Sequence, residues 1–237
     1  MKFVAEIGMN HDGSFDLARE LVRQAKLAGA DFAKFQLGWR DQPGEINAFT
    51  RDQWLAMKQW CDYVGIDMLV SVIREDTLDL AQALDLTTYK IASRTVIDHP
   101  ALCERILGLG RPTYVSLGMW EGNGFPFGPP DGARLRYVYC RSKYPTHPAD
   151  LASMPARFTE DGFSGYSDHA LGIDTCLTAI ARGARYVEKH FTLDKTSQVI
   201  RDHVLSATPQ EFRQMVDLGR PMAQFAALHG AAASRDE

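Results

Sequence analysis

No stretch of the sequence approaches the roughly 20 consecutive apolar residues of a membrane-spanning helix. The N-terminus, Met1-Lys2-Phe3-Val4-Ala5-Glu6, meets a carboxylate too early for a secretory leader. Basic residues are in the minority. Lys and Arg number 26 against 30 Asp and Glu, a net charge of -4, without the basic balance of a nucleic-acid-binding protein. Cysteine is scarce. Cys61, Cys103, Cys140 and Cys176 stand singly in apolar segments, a pattern of buried reduced thiols rather than of disulfides or a Cys metal site. A glycine-rich phosphate turn is missing too. After the first β-rich run comes Gly8-Met9-Asn10-His11-Asp12-Gly13, which is not GxGxxG and weighs against an open dinucleotide-binding sheet. These absences predict a cytoplasmic protein with no membrane or nucleic-acid partner.

What is there is ordinary globular composition, 45% hydrophobic and 24% charged over 237 residues. That is enough for one α/β barrel domain, which commonly runs to about 250 residues. β-rich runs recur at 2–7, 31–36, 67–71, 88–91, 113–116, 136–139, 162–165 and 186–190. Helical candidates lie between them at 14–28, 50–64, 75–84, 99–109, 149–158, 171–182 and 208–227. Ser14 and Thr208 precede helices as caps, with Pro209 at the first helical position and Glu211 three residues after the cap. Gly29, Gly65, Gly110 and Gly183 mark helix ends. Repeated strand–helix units with apolar strands predict an α/β fold, a (β/α)8 TIM barrel of eight parallel strands. Residues 120–133 hold four Gly and three Pro within 120–132 and cannot sustain a helix, so one outer helix is expected to be a loop. The expected organisation is a single catalytic domain over 1–230 and a flexible C-terminal tail over 231–237.

Polar residues gather where such strands end, which is where a barrel builds its active site. Strand ends carry Glu6, Lys34, Lys90-Ile91-Ala92-Ser93, Ser116, Arg141-Ser142-Lys143-Tyr144, Ser167-Asp168-His169 and Glu188-Lys189-His190. Lys34 and Lys90, with the hydroxyls of Ser93, Ser116, Ser142 and Ser167, suit an anion such as a phosphate or carboxylate. His169 and His190 end neighbouring strands, where two imidazoles and nearby carboxylates could share one labile divalent metal. Glu6 and Glu188 are the acid/base candidates. Taken singly, Glu6 could instead pair with Lys34, and His11 could simply hold its loop. His99, His147 and His229 read as solvent-facing.

Six strings carry a specific resemblance: Ala5–Gly13, Ala28–Gln36, Tyr89–Ser93, Ser116–Met119, Gly165–His169 and Val187–Asp194. In their order they resemble the phosphoenolpyruvate-dependent sialic acid (N-acetylneuraminate) synthase family. The resemblance implies condensation of phosphoenolpyruvate with the aldehyde of an N-acylated amino sugar to give a nonulosonic-acid-like 2-keto acid and phosphate. It implies His169 and His190 as ligands of Mn2+ or Mg2+. It implies Lys34, Lys90, Ser93, Ser116, Ser142 and Ser167 as phosphoenolpyruvate contacts, Tyr144 and Asp202 as sugar contacts, Glu6 and Glu188 as essential carboxylates, and a homodimer.

Departures from the family pattern are equally specific. A Ser-Thr-Pro-Phe-like string is replaced by Ser71-Val72-Ile73-Arg74, which reads as the loss of a phosphate-binding hydroxyl. Arg94 stands where the family has Gly, at the expected pocket mouth, where it could bind a carboxylate or fill the space. The family's antifreeze-like C-terminal domain has no counterpart in these residues, and Arg94, Arg74 or Arg201 are candidates to replace the arginine it supplies. Two alternatives therefore stay open: a metal-dependent aldolase or lyase on another substrate, and a non-catalytic binding barrel in glycan assembly.

Overall fold

The computed structural model describes the backbone of residues 1–233 and the side chains of residues 1–228. All eight β-rich runs are strands: β1 Lys2–Glu6, β2 Phe32–Leu37, β3 Asp67–Val72, β4 Tyr89–Ile91, β5 Thr113–Ser116, β6 Leu135–Cys140, β7 Phe163–Asp168 and β8 Tyr186–His190. Every neighbouring pair is parallel, and β1 also pairs with β8, so the sheet closes in chain order. This is the (β/α)8 TIM barrel expected from the sequence.

The helices are α1 Phe15–Leu27, α2 Arg51–Val64, α3 Leu78–Ala83, α4 Ser93–Asp98, α5 Pro100–Gly108, α6 Asp174–Ala181 and α7 Pro209–Ala233. The expected tail begins inside the last turn of α7, and residues 234–237 lie outside the described residues. Start signals behave as local chemistry dictates. Ser14 Oγ accepts from the Leu17 amide at 3.2 Å, and the Thr208 amide donates to Glu211 Oε2 at 2.8 Å in a capping box. The four helix-ending glycines have φ between +70° and +97°, which non-glycine side chains resist.

Two differences from expectation concern helices. Residues 120–133 form no helix, as expected, but neither do most of residues 149–158. The latter hold a short 3-10 turn, Pro148–Leu151. Pro155 within the expected span cannot donate a helical hydrogen bond and disfavours helical backbone at Met154, so the turn begun at Pro148 is not continued. The segment is tied down instead by the Arg182 guanidinium, which donates to the Met154 and Pro155 carbonyls. Between β4 and β5 there are two helices, not one. His99, with φ -139° and ψ 59°, divides them, because a residue before proline avoids the helical region.

Core packing follows the period of two. Side chains on the outer faces of the strands, such as Phe35, Val70, Ile91 and Val115, join the helices in one large apolar cluster. A second, separate cluster fills the barrel interior: Val4, Phe32, Leu69, Tyr114, Val138 and Tyr186, with the Tyr114 and Tyr186 rings stacked at 4.1 Å. It plugs the N-terminal half of the barrel. Gly165 allows β7 to pass Tyr186 closely, since a Cβ there would stand 2.8 Å from the Tyr186 carbonyl oxygen and Cβ. Among the described residues no helix is long and apolar enough to cross a membrane.

Candidate active site

Two residues beyond each member of the plug, the same strands present polar groups to the same interior, because alternate strand residues share a face. Val4 is followed by Glu6, Phe32 by Lys34, Leu69 by Ser71, Tyr114 by Ser116, Val138 by Cys140 and Tyr186 by Glu188. This layer, joined by Lys90 and Ser167, is the floor of a cavity of about 750 Å3 at the C-terminal ends of the strands. One step further along lie Gln36, Ser142, His169 and His190. Ser93, Arg94, Tyr144 and Asp202 come from the loops and the helix start above them. All thirteen residues singled out in the sequence line this one cavity.

The floor is a closed network of charge. Lys34 Nζ lies 2.6 Å from Glu6 Oε2 and 3.6 Å from Glu188 Oε1. Lys90 Nζ lies 3.8 Å from Glu188 Oε2 and donates to Ser116 Oγ at 2.6 Å. Gln36 Nε2 donates to the other Glu6 oxygen at 2.7 Å. Glu188 accepts from Ser167 Oγ at 2.8 Å and from the Tyr186 hydroxyl. All four charged groups are at most 5% exposed. Burial pushes the Glu188 carboxyl up, but the ammoniums of Lys34 and Lys90 and its two hydroxyl donors outweigh it and hold the group well below the usual carboxylate range. Burial also drives both lysines down. Glu188 and Glu6 more than reverse this at Lys34, whereas at Lys90 burial prevails and the ammonium is held less tightly than usual.

The imidazoles form the next level. The His169 and His190 ring centroids are 5.5 Å apart, with planes at 44°. His169 Nδ1 lies 2.8 Å from the Arg141 carbonyl, an interaction that fixes the tautomer and leaves Nε2 as a donor atom for a metal. His190 Nδ1 is buried without a hydrogen-bond partner. Those two features fit a pair of nitrogen ligands. Among the described residues, however, no cluster of three or more His, Cys, Asp or Glu side chains is placed to hold an ion by itself. The carboxylates expected beside the imidazoles are engaged elsewhere: Glu6 and Glu188 face the lysines. A cation here would complete its shell with water and substrate oxygens.

The rim is aromatic and basic. Tyr144 packs on His169 at 4.2 Å between ring centroids, and the Arg201 guanidinium covers the Tyr144 ring at 4.3 Å. Asp202 Oδ1 is buried without a hydrogen bond and stands 3.6 Å from Arg201 Nε. Arg94 pairs with Asp98 at 3.5 Å and lies over the Trp39 ring at 5.9 Å. Arg74 does not line the cavity and is held by Asp41 and Asp76. Ser93 Oγ accepts from the Gly118 amide at 2.8 Å and so braces two loops.

Sequence reasoning missed Ser71, Gln36, Cys140, Trp39 and Arg40. The first three were available by counting twos along their strands. The Ser71–Arg74 string reads differently in three dimensions. Val72 is buried in the outer apolar cluster, and Ser71, whose Oγ has no partner, faces the cavity. The hydroxyl read as lost at Val72 is therefore not missing from the floor. Trp39 and Arg40 lie in a loop without periodicity, where nothing in the sequence announced them. His11 is fully buried, 3.2 Å from Asn47 Oδ1, and holds its loop. His99 and His147 are exposed, and the side chain of His229 lies outside the described residues.

Residues 44–229 match the NeuB family. The N-acetylneuraminate-9-phosphate synthase of Homo sapiens is 30% identical over 244 residues, which cover 90% of this chain and 67% of that protein. The N,N'-diacetyllegionaminic acid synthase of Legionella pneumophila is 28% identical, covering 90% of this chain and 69% of its own. The crystal structure of N-acetylneuraminic acid synthetase from Leptospira borgpetersenii, in complex with citrate, superposes with a TM-score of 0.79. It covers 94% of this chain and 84% of that chain at 24% identity, a likeness of fold alone.

Proposed function

Because the chain belongs to the NeuB family, we propose that it condenses phosphoenolpyruvate with the open-chain aldehyde of an N-acylated amino sugar or similar aldose. The products are a nonulosonic-acid-like 2-keto sugar acid and inorganic phosphate. The observation that carries the reading is the pair of floor lysines, Lys34 and Lys90, each set among hydroxyls or carboxylates in the deepest part of one cavity. Two buried ammoniums beneath a single opening suit a small ligand with several negative charges.

In this reading phosphoenolpyruvate lies on the floor. Its carboxylate and phosphate compete with Glu6 and Glu188 for Lys34 and Lys90, and Ser71, Ser93, Ser116 and Ser167 are placed to donate hydrogen bonds. The acceptor sugar lies above it, between Tyr144, Asp202 and the rim arginines. His169 and His190 would hold a divalent metal, Mn2+ or Mg2+, which when bound would withdraw electrons from an aldehyde. The enol carbon forms a bond to the aldehyde carbon, whose oxygen takes a proton from water and becomes a hydroxyl. Positive charge develops at the neighbouring carbon, where the ionised carboxylates beneath it are favourable. Water adds there and passes a proton to a carboxylate. The carbon–oxygen bond to phosphate then breaks as the new hydroxyl gives its proton to the departing phosphate, leaving the ketone. Glu188, held ionised by its lysines, has no proton to donate to the reaction. The same reading includes the cytoplasm, where phosphoenolpyruvate is made, and a homodimer, which sedimentation would check.

The deciding experiment measures inorganic phosphate with phosphoenolpyruvate, Mn2+ and a panel of N-acylated aldoses. Release is expected only when all three components are present. A folded protein that releases phosphate with no member of the panel, or that turns over a keto acid without phosphoenolpyruvate, would overturn the reading.

A further inference from the structure

Alternation along β7 and β8 sends Ser167, His169, Glu188 and His190 toward the cavity. The residues between them, Asp168 and Lys189, face outward beneath α6. They are register partners on adjacent strands, and neither side chain has any exposure. Lys189 Nζ lies 2.8 Å from Asp168 Oδ2 and also donates to the Ala170 carbonyl. Asp168 and Ala170 flank His169, and Lys189 immediately precedes His190. One ammonium thus ties both chain neighbours of one imidazole to the residue before the other.

Asp168 is saturated by further donors. Its Oδ1 accepts from the Tyr166 hydroxyl at 2.7 Å and the Ala170 amide at 2.9 Å. Its Oδ2 also accepts from the Cys176 thiol of α6 at 3.4 Å. The Thr146 amide donates to the His169 carbonyl at 2.9 Å, so the backbone of His169 is held from a third direction.

Stability gives little reason for an ion pair at this place. Desolvating two charges offsets their attraction, and apolar side chains of similar size often serve as well. Elsewhere the outward positions of the strands are filled by apolar residues such as Phe35, Val70, Ile91 and Val115. The exception sits between the residues that aim the two imidazoles. We propose that Asp168 and Lys189 are positioning residues, a clamp that sets the separation and angle of His169 and His190. The proposal rests on the reading of those histidines as cation ligands and concerns what holds them in place.

The test replaces both charges with apolar side chains, D168L together with K189M, which leaves no lone buried charge. K189R, which keeps the charge but changes its reach, is the second variant. The melting temperature and the imidazole proton–carbon resonances are measured first, on metal-free protein. The His169 ring lies against Tyr144, so its resonances carry a ring-current shift that reports its orientation. Mn2+ binding is then followed by electron paramagnetic resonance, with KM for phosphoenolpyruvate and kcat measured alongside. The double variant is expected to melt close to the wild type, to shift the His169 resonances and to bind Mn2+ about 10–100-fold more weakly, as outer-layer changes around metal ligands do. KM for phosphoenolpyruvate should change less than Mn2+ binding, because its two charged contacts, Lys34 and Lys90, lie on β2 and β4. Unmoved resonances and a wild-type Mn2+ Kd in a folded variant would overturn the proposal. Should the double variant fail to fold, the same outcome for K189R overturns it. If the wild type binds no Mn2+ but the His169 resonances move in the variants, the cation reading fails and the clamp stands.

Discussion

Lys34 Nζ sits 2.6 Å from Glu6 Oε2 across two paired strands, in a place almost without solvent. A second carboxylate, Glu188, reaches the same ammonium from β8 at 3.6 Å. Removing the lysine therefore strands two buried negative charges. Lys34→Met is expected to destabilise the fold by about 3–5 kcal/mol at neutral pH, the cost typical of an uncompensated buried charge. Urea unfolding at pH 7 measures it. Lys34→Met/Glu6→Gln should recover a large part of the loss without recovering activity.

His11 gives the fold an acid-sensitive element. Burial, only partly offset by Asn47 and Asp12, lowers its pKa from 6.5 to about 4. The unfolded chain binds a proton below about pH 6.5, while the folded one resists until about pH 4. Stability is therefore full above pH 6.5 and falls as the pH drops toward 4. The loss approaches about 3 kcal/mol, an upper figure for a shift of this size. Unfolding free energies at pH 7.5, 5.5 and 4.5 should show it, and His11→Gln should flatten that part of the curve.

Gly165→Ala places a Cβ 2.8 Å from the Tyr186 carbonyl oxygen and Cβ. Both contacts belong to a strand that cannot move without shifting Glu188 and His190. Overpacking of this kind costs about 1–3 kcal/mol, or a fall in Tm of roughly 2–4 °C per kcal/mol for a domain of this size. Calorimetry measures the fall, and kcat should drop with it.

Chelation is expected to abolish phosphate release and leave the fold intact. The imidazoles lie above a floor already neutral in itself, with two lysines and two glutamates paired. Circular dichroism should be unchanged by EDTA, and added Mn2+ should restore turnover. His169→Ala and His190→Ala should each lose Mn2+-dependent activity. Survival of that activity in either would show that the metal lies elsewhere.

The strands were legible because alternation is a local signal. β5 and β8 coincide with their β-rich runs, and the others differ by one to three residues at an end. The site was legible for the same reason, since polar residues that continue the inward-facing alternation of a strand past its apolar part open onto the barrel mouth. Ser71 was overlooked because its string was compared with a family pattern instead of being counted in twos from Leu69. The helix expected at 149–158 failed on Pro155, whose effect outweighs the apolar spacing on either side of it. Nothing local could reveal that Glu188 answers two lysines on distant strands, or that Asp168 faces Lys189. Those relationships come into being only when the barrel closes.

The plug of Val4, Phe32, Leu69, Tyr114, Val138 and Tyr186 makes the barrel a dead end. A blind vessel fills from the bottom and empties from the top. Whatever settles on the lysines must enter before the ligand that covers it, and a second molecule arriving early would block the way. The apolar interior thus imposes a queue: initial-rate kinetics should show compulsory order, with the ligand of Lys34 and Lys90 first.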